Sequence, residues 1–184
     1  MQRWKKFVGL TAVVVVLAGV GASAQAASAA AQADPVKVGI IYSRTGPLAA
    51  YGAEYIQGLR YGLAYATKGT NAVNGQKIEL TIVDDAGDPV KAVSAAKDLI
   101  GKGYKIIGGS VSSGVALQLA PLAAQNQVLY ISGPAATDAV TGINKYTFRS
   151  GRQSYQDVLA ASSFLGGGGG KNVTVFAQDS AFGL

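Results

Sequence analysis

From Val36 onward the chain alternates between short β-rich apolar runs and longer stretches with apolar residues at helical spacing, and this alternation limits its fold more than any other feature. Val36–Tyr42 (VKVGIIY) is a run of the first kind. Tyr51–Thr67 is of the second kind, with Ile56, Leu59 and Leu63 on one face and Arg60 and Lys68 on others. A polar turn at Asn71–Gly75 centres on Asn74-Gly75. Lys77–Asp84 reads as the next strand. Asp88-Pro89 then opens a helix, because aspartate caps well and proline suits the first helical position. That helix is expected to run to about Lys102, with Gly103 as its stop. Lys105–Gly108 is a third strand, and Val115, Leu119 and Leu122 mark a helix that Pro121 is expected to kink or shorten. Val128–Ile131, the extended Tyr146–Arg149, the helix Tyr155–Leu165, the link Gly166–Gly170 and a last strand Asn172–Phe176 complete the series.

Such alternation predicts an α/β, doubly wound parallel sheet with helices on both faces. In such sheets ligands occupy the crevice outside the carboxyl ends of the strands. The segments to inspect are therefore Ser43–Tyr51, Asp84–Asp88, Gly109–Ser113, Ser132–Thr137 and Gln178–Gly183. Gly108-Gly109-Ser110-Val111-Ser112-Ser113-Gly114 follows a strand and opens a helix. Its glycines let a ligand approach the backbone, and the free N–H groups of the helix start, with serine hydroxyls beside them, suit a carboxylate. An ordinary serine N-cap explains the same pattern. Ser132-Gly133-Pro134-Ala135-Ala136-Thr137 presents main-chain groups and one hydroxyl, or is a simple Gly-Pro turn. Tyr51 is placed to lie over an apolar ligand group or to be a partly buried aromatic at a helix start. Asp84, Asp85 and Asp88 do not have the spacing of a calcium loop; a turn plus an N-cap accounts for them.

Several chemistries are disfavoured. The chain has no His and no Cys, which removes imidazole ligands, disulfides and a Ser-His-Asp triad. Gly170-Lys171 fails as a phosphate loop, since Leu165 and Asn172 stand where glycine and Ser/Thr are needed. No catalytic residue, cofactor or metal site is expected. Three of the 16 Lys and Arg lie within the first six residues against 10 Asp and Glu overall, so the rest of the chain is only mildly basic and its charges are scattered. That is no nucleic-acid footprint.

The N-terminus has the layout of a secretory signal peptide: Arg3, Lys5 and Lys6, an apolar run from Phe7 to about Val20, and Ala24-Gln25-Ala26 as a cleavage signal. The expected division is a leader over residues 1–26, cut as late as 33, and a ligand-binding lobe over 34–150. A helix and glycine-rich link over 151–171 and the first strand of a truncated second lobe over 172–184 follow. Export without a lipid-anchoring cysteine places the protein in a periplasm-like space.

In order along the chain, Val38-Gly39-Ile40, Thr45-Gly46-Pro47, Tyr51-Gly52, Asp84-Asp85 with Asp88-Pro89, Ser112-Ser113, Ser132 with Ala135-Ala136-Thr137, Tyr146–Arg149 and Asp179-Ser180-Ala181-Phe182-Gly183 resemble the periplasmic leucine/isoleucine/valine-binding proteins. The resemblance covers Val36–Leu184. It implies a type I periplasmic-binding fold of two α/β lobes that close over a small-molecule ligand and hand it to an ABC permease. By the same resemblance Ser112, with Ser113, binds the ligand carboxylate. Thr137 contacts the charged backbone of an amino acid, and Ala135 and Ala136 supply main-chain groups. Tyr51 lies near the ligand side chain, and Phe182 replaces a second-lobe tyrosine. Relatives with a first-lobe disulfide carry cysteines at the positions of Gly87 and Val111, and Gly133-Pro134 holds one residue more than the family pattern. The family's acidic partner for the ligand ammonium would lie beyond Leu184. The role the resemblance implies is capture of a small amino acid, a branched-chain one as the first choice, for delivery to an ABC import permease. An extracellular sensor domain, or a binder of another small carboxylate or amide, remains open.

Overall fold

The computed structural model describes residues 33–165 and 169–183. The expected leader and Gly166–Gly168 of the expected link lie outside the described residues. Strands β1 (Val36–Tyr42), β2 (Ala72–Val73), β3 (Gln76–Asp84), β4 (Ile106–Gly109), β5 (Leu129–Ser132) and β6 (Thr147–Arg149) form one sheet in the order β2-β3-β1-β4-β5-β6. All pairings are parallel except β2 with β3, a hairpin closed by the Asn74-Gly75 turn, where both residues adopt positive φ. Chain order reverses at β1: the chain steps from β1 to β3 on one side and then crosses to β4 on the other.

The helices are α1 (Ala49–Ala66), α2 (Pro89–Gly101), α3 (Ser113–Asn126) and α4 (Ser154–Phe164). Alternation along β1 assigns its side chains to two layers. Ile40 and Tyr42 pack with Ile56 of α1 and Val111, with Leu48, Tyr55 and Leu59 against them. Ile41 faces the other way and joins Ala92, Ala96 and Leu99 of α2, Val115 and Leu119 of α3, and Ile107 and Tyr130. The doubly wound expectation is met, with α1 on one face and α2 and α3 on the other.

Helix boundaries follow local chemistry. Asp88 caps α2, its carboxylate accepting from the Val90 and Lys91 amides at 2.7 and 3.3 Å, with Pro89 in the first turn. Ser112 caps α3 more loosely, accepting from Val115 at 3.5 Å. Of the two expected effects of Pro121, a kink or a shortening, α3 is not shortened: it continues to Asn126 and stops where Gln127 turns left-handed. The missing proline N–H costs one bond, and seven buried residues on this helix offset it.

The last expected strand does not form. Asn172–Phe176 has no ladder partner, and Val175 and Phe176 are 82% and 101% exposed. β-Propensity without a neighbouring strand leaves N–H and C=O groups to water, so an apolar run alone makes no strand. α4 forms one residue earlier than expected at each end, and it buries no residue.

Candidate functional site

A cleft of about 670 Å³ opens at the carboxyl ends of the parallel strands. Each βα loop contributes: Pro47 and Leu48 after β1, Ala86 and Gly87 after β3, Val111 and Ser112 after β4, and Pro134 and Ala136 after β5. Tyr51 and Glu54 from the first turns of α1, Arg152, and Phe182 of the C-terminal segment complete the walls. The crevice lies where the strand order reverses, as doubly wound sheets dictate.

The loops around it are pinned. The Asp84 carboxylate accepts from the amides of Arg44 at 2.9 Å, Thr45 at 3.2 Å and Ala86 at 2.9 Å, and from the Thr45 hydroxyl at 2.7 Å. Slight desolvation acts to raise its pKa, but these four donors outweigh it and hold the group at about 2. Asp85 is fully buried beneath the same loops, its Oδ1 accepting from the Ser43 hydroxyl and the Gly87 amide, both at 2.7 Å. Its Oδ2 has no partner among the described residues, and burial pushes the carboxyl above its ordinary range. Sequence reading assigned these aspartates to a turn and a cap. The turn proves to be a clamp joining the β1 and β3 loops.

Close backbone approach sets the cleft's shape. A Cβ on Gly52 would lie 1.9 Å from the Ser43 carbonyl oxygen, so α1 starts hard against the β1 loop. A Cβ on Gly133 would lie 2.9 Å from both the Ser110 carbonyl oxygen and the Tyr55 ring. Beneath the β4 and β5 loops, the Tyr130 hydroxyl lies 3.5 Å from Ser110 Oγ, and burial pushes Tyr130 up to about 12.

Of the site residues named from sequence, Tyr51, Ser112, Ser113, Ala136 and Phe182 line this one cleft. Ala135 and Thr137 do not line it; both are buried. The Thr137 amide donates to Ser113 Oγ at 3.3 Å, and its hydroxyl caps the short 3-10 turn Asp138–Val140. Ser113 thus ties the α3 start to the β5 loop. Among the described residues the amides of Ser113, Gly114 and Ala136 donate no hydrogen bond within the protein. Free N–H groups at a helix start with hydroxyls beside them can hold an anion.

Two residues escaped the sequence reading. Arg149, at the end of β6, donates to the carbonyl oxygens of Ala135 and Thr137, each at 3.0 Å, to Gly151 at 3.1 Å, to the Thr141 hydroxyl at 2.8 Å and to Arg152. One guanidinium therefore holds the whole β5 loop from behind. In sequence Arg149 stood out only as the last residue of the Tyr146–Arg149 segment that carries part of the family resemblance, with no loop-holding role assigned. Glu54 follows Tyr51 by one helical step toward the cleft and looked like any surface acid. Among the described residues no group of three metal-ligating side chains occurs, and no helix is long and apolar enough to cross a membrane.

A family model for periplasmic binding proteins matches residues 35–184. The Leu/Ile/Val-binding protein BraC3 of Rhizobium johnstonii is 32% identical over 150 residues, covering 80% of this chain and 41% of BraC3. The Leu/Ile/Val-binding protein homolog 1 of Brucella abortus is 36% identical, covering 68% of this chain and 34% of that protein. Among solved structures, an ABC-type branched-chain amino acid transporter from Rhodopseudomonas palustris is 41% identical with a TM-score of 0.64, covering 67% of this chain and 34% of that one. A solute-binding protein of an ABC transporter from R. palustris, in complex with 4-hydroxybenzoate, is 26% identical with a TM-score of 0.72, covering 82% and 40%. The chain thus spans less than half the length of the relatives it matches. With the family match over nearly all described residues, and the cleft at the strand ends of a doubly wound lobe, the chain belongs to the periplasmic binding protein family, whose matched members are ABC-type solute-binding proteins.

Proposed function

We propose that the protein captures a small carboxylate, an amino acid with a branched apolar side chain, in the periplasm and delivers it to an ABC import permease. The observation that carries this reading is the unsatisfied α3 start, Ser113 and Gly114 amides with Ser112 beside them, opening into a cleft otherwise walled by Tyr51, Leu48, Pro47, Val111 and Phe182. A carboxylate on the amides and hydroxyl, with an apolar body among those side chains, fits that distribution. In this reading Thr137 and Ala135 keep the β5 loop in shape, and Ala136 offers its free amide.

A second ligand class has its own support. Tyr51 and Phe182, 59% and 45% exposed at the cleft, are aromatic, and the 4-hydroxybenzoate-bound relative has the higher TM-score of the two solved structures above. An aromatic carboxylate would use the same α3 start. Titration calorimetry with leucine, isoleucine, valine and 4-hydroxybenzoate separates the two. Tighter binding of any of the three amino acids supports the first reading, preference for the benzoate supports the second, and binding of none of them overturns both.

A further inference from the structure

On the side of α1 away from the cleft lies a second concavity of about 470 Å³, lined by Tyr42, Arg44, Ala53, Ile56, Gln57, Arg60 and Tyr61. Its floor is apolar, supplied by Tyr42 and Ile56 of the core layer. Two guanidiniums reach its walls and no acidic side chain does. Among the described residues the ion pairs are Lys102 with Asp98 and Arg152 with Asp157, so neither Arg44 nor Arg60 is neutralised by a carboxylate. Asp84 holds the Arg44 amide, which fixes the loop, and Arg44 is exposed. The groove is therefore cationic and built on a braced backbone.

The surface around it has the chemistry of a protein contact. Tyr61 is 67% exposed and Tyr65, one turn on, 89%. Gly58 and Gly62 lie beside them, and a Cβ added at either would meet nothing within 4 Å, so the helix surface is open to close approach. Tyrosine and arginine are the residues that dominate interface energetics, because each combines a large flat contact area with polar edges. A free inorganic anion would need the arginines alone; the apolar floor and the two exposed tyrosines suit a peptide with side chains.

From these features we infer that the outer face of α1, with Arg44, is a docking surface for an acidic segment of a protein partner in which carboxylates alternate with apolar residues. Arginine forks pair with the carboxylates, and the apolar residues rest on Tyr42, Ile56 and Tyr61. The position gives the contact a consequence. The loop that carries Arg44 continues into Pro47 and Leu48 at the cleft, and α1 carries Tyr51 and Glu54 on its cleft side. A partner seated here touches the same two elements that touch the ligand.

The probe is an end-capped pentapeptide of alternating glutamate and apolar residues, titrated into the protein and followed by amide chemical shifts. Its glutamine counterpart, inorganic phosphate and the unliganded protein at rising concentration are the other arms. The expected result is saturable shifts centred on Arg44, Gln57, Arg60 and Tyr61, with affinity roughly tenfold or more weaker for the glutamine peptide and for the double variant Arg44→Gln/Arg60→Gln. Both arginines are exposed, so the variant is expected to keep the wild-type spectrum elsewhere. The inference is overturned by equal binding of the neutral peptide, by phosphate producing the same shifts at the same concentration, by self-association through Tyr61 and Tyr65, or by no shifts at all.

Discussion

Two regions of this molecule use similar residues to different ends. In the sheet region, Val36–Arg149, Val115 is fully buried between helix and sheet, and Ile41 lies at the centre of the same layer. In the segment that follows, residues 151–183, Val175 is 82% exposed and α4 buries nothing. Neither propensity nor composition separates them. α4 has a capping box, Gln153 with Gln156, and Asn172–Phe176 is as β-rich as β1. What differs is a partner. Each strand of the first region has a neighbour, and α1, α2 and α3 have a sheet face to cover, whereas among the described residues the second region pairs with no strand, buries no residue of α4 and meets the first through hydrogen bonds such as Ser154 to the Ala136 carbonyl. Local preference nominates an element, and burial of its apolar face decides whether that element holds.

The widest predicted gap between the regions is in amide exchange. Amides of β1, β4 and β5 should be protected at least about a thousandfold more than those of residues 169–183, because the former open only with the lobe. Equal protection would show that the second region has a core of its own. Core truncation should separate them next. Leu119→Ala should cost about 2–5 kcal/mol in urea unfolding, since Leu119 is 2% exposed between α3 and the sheet. Val175→Ala should leave the midpoint unchanged. A loss at Val175 comparable to that at Leu119 breaks the comparison.

Ligand binding sharpens it further, because the cleft draws most of its walls from the first region and Phe182 from the second. On the proposed function, Ser112→Ala should weaken ligand binding roughly tenfold or more, a hydrogen bond to a charged group being about 1.5–3 kcal/mol. Phe182→Ala should have a smaller effect, because no packed element holds that residue in place. Calorimetry showing a greater loss at Phe182 than at Ser112 would put the centre of recognition in the second region.

The smallest effect is in pH. The folded Asp84 carboxyl sits at about 2 against an ordinary 3.8, so its contribution is complete above 3.8 and is lost as pH falls toward 2. Exposure limits this to roughly 1 kcal/mol or less. Asp85 acts with the opposite sign: its folded pKa is raised, so its contribution favours the folded state at low pH and declines as pH rises from 3.8 through the folded value. Acid titration of stability should therefore flatten below pH 3.8 in Asp84→Asn. It should flatten above that value in Asp85→Asn. A profile unchanged by either variant would mean the loop clamp contributes nothing to the first region's stability.

The sequence by itself determined the main strands and helices up to Arg149, though not the short β2 or the 3-10 turn Asp138–Val140, and four of the strand ends that surround the cleft. Period-2 and period-3.6 patterns are local, and a parallel alternation leaves one sheet topology class with its crevice at the carboxyl ends. It also determined the Asp88-Pro89 cap and the Asn74-Gly75 turn, because both are short-range steric and hydrogen-bond events. Tertiary structure alone decided the rest. Arg149 became the support of the β5 loop only because β6 pairs beside β5 and brings its end under Ala135 and Thr137. Asp84 and Asp85 became a clamp only because β3 lies against β1 in a register that sets Tyr42 opposite Asp84. Pro121 stayed inside a helix because that helix is buried, and Asn172–Phe176 failed to become a strand because no strand among the described residues pairs with it. Each of these outcomes depends on groups distant in sequence meeting in space, and no local pattern encodes that meeting.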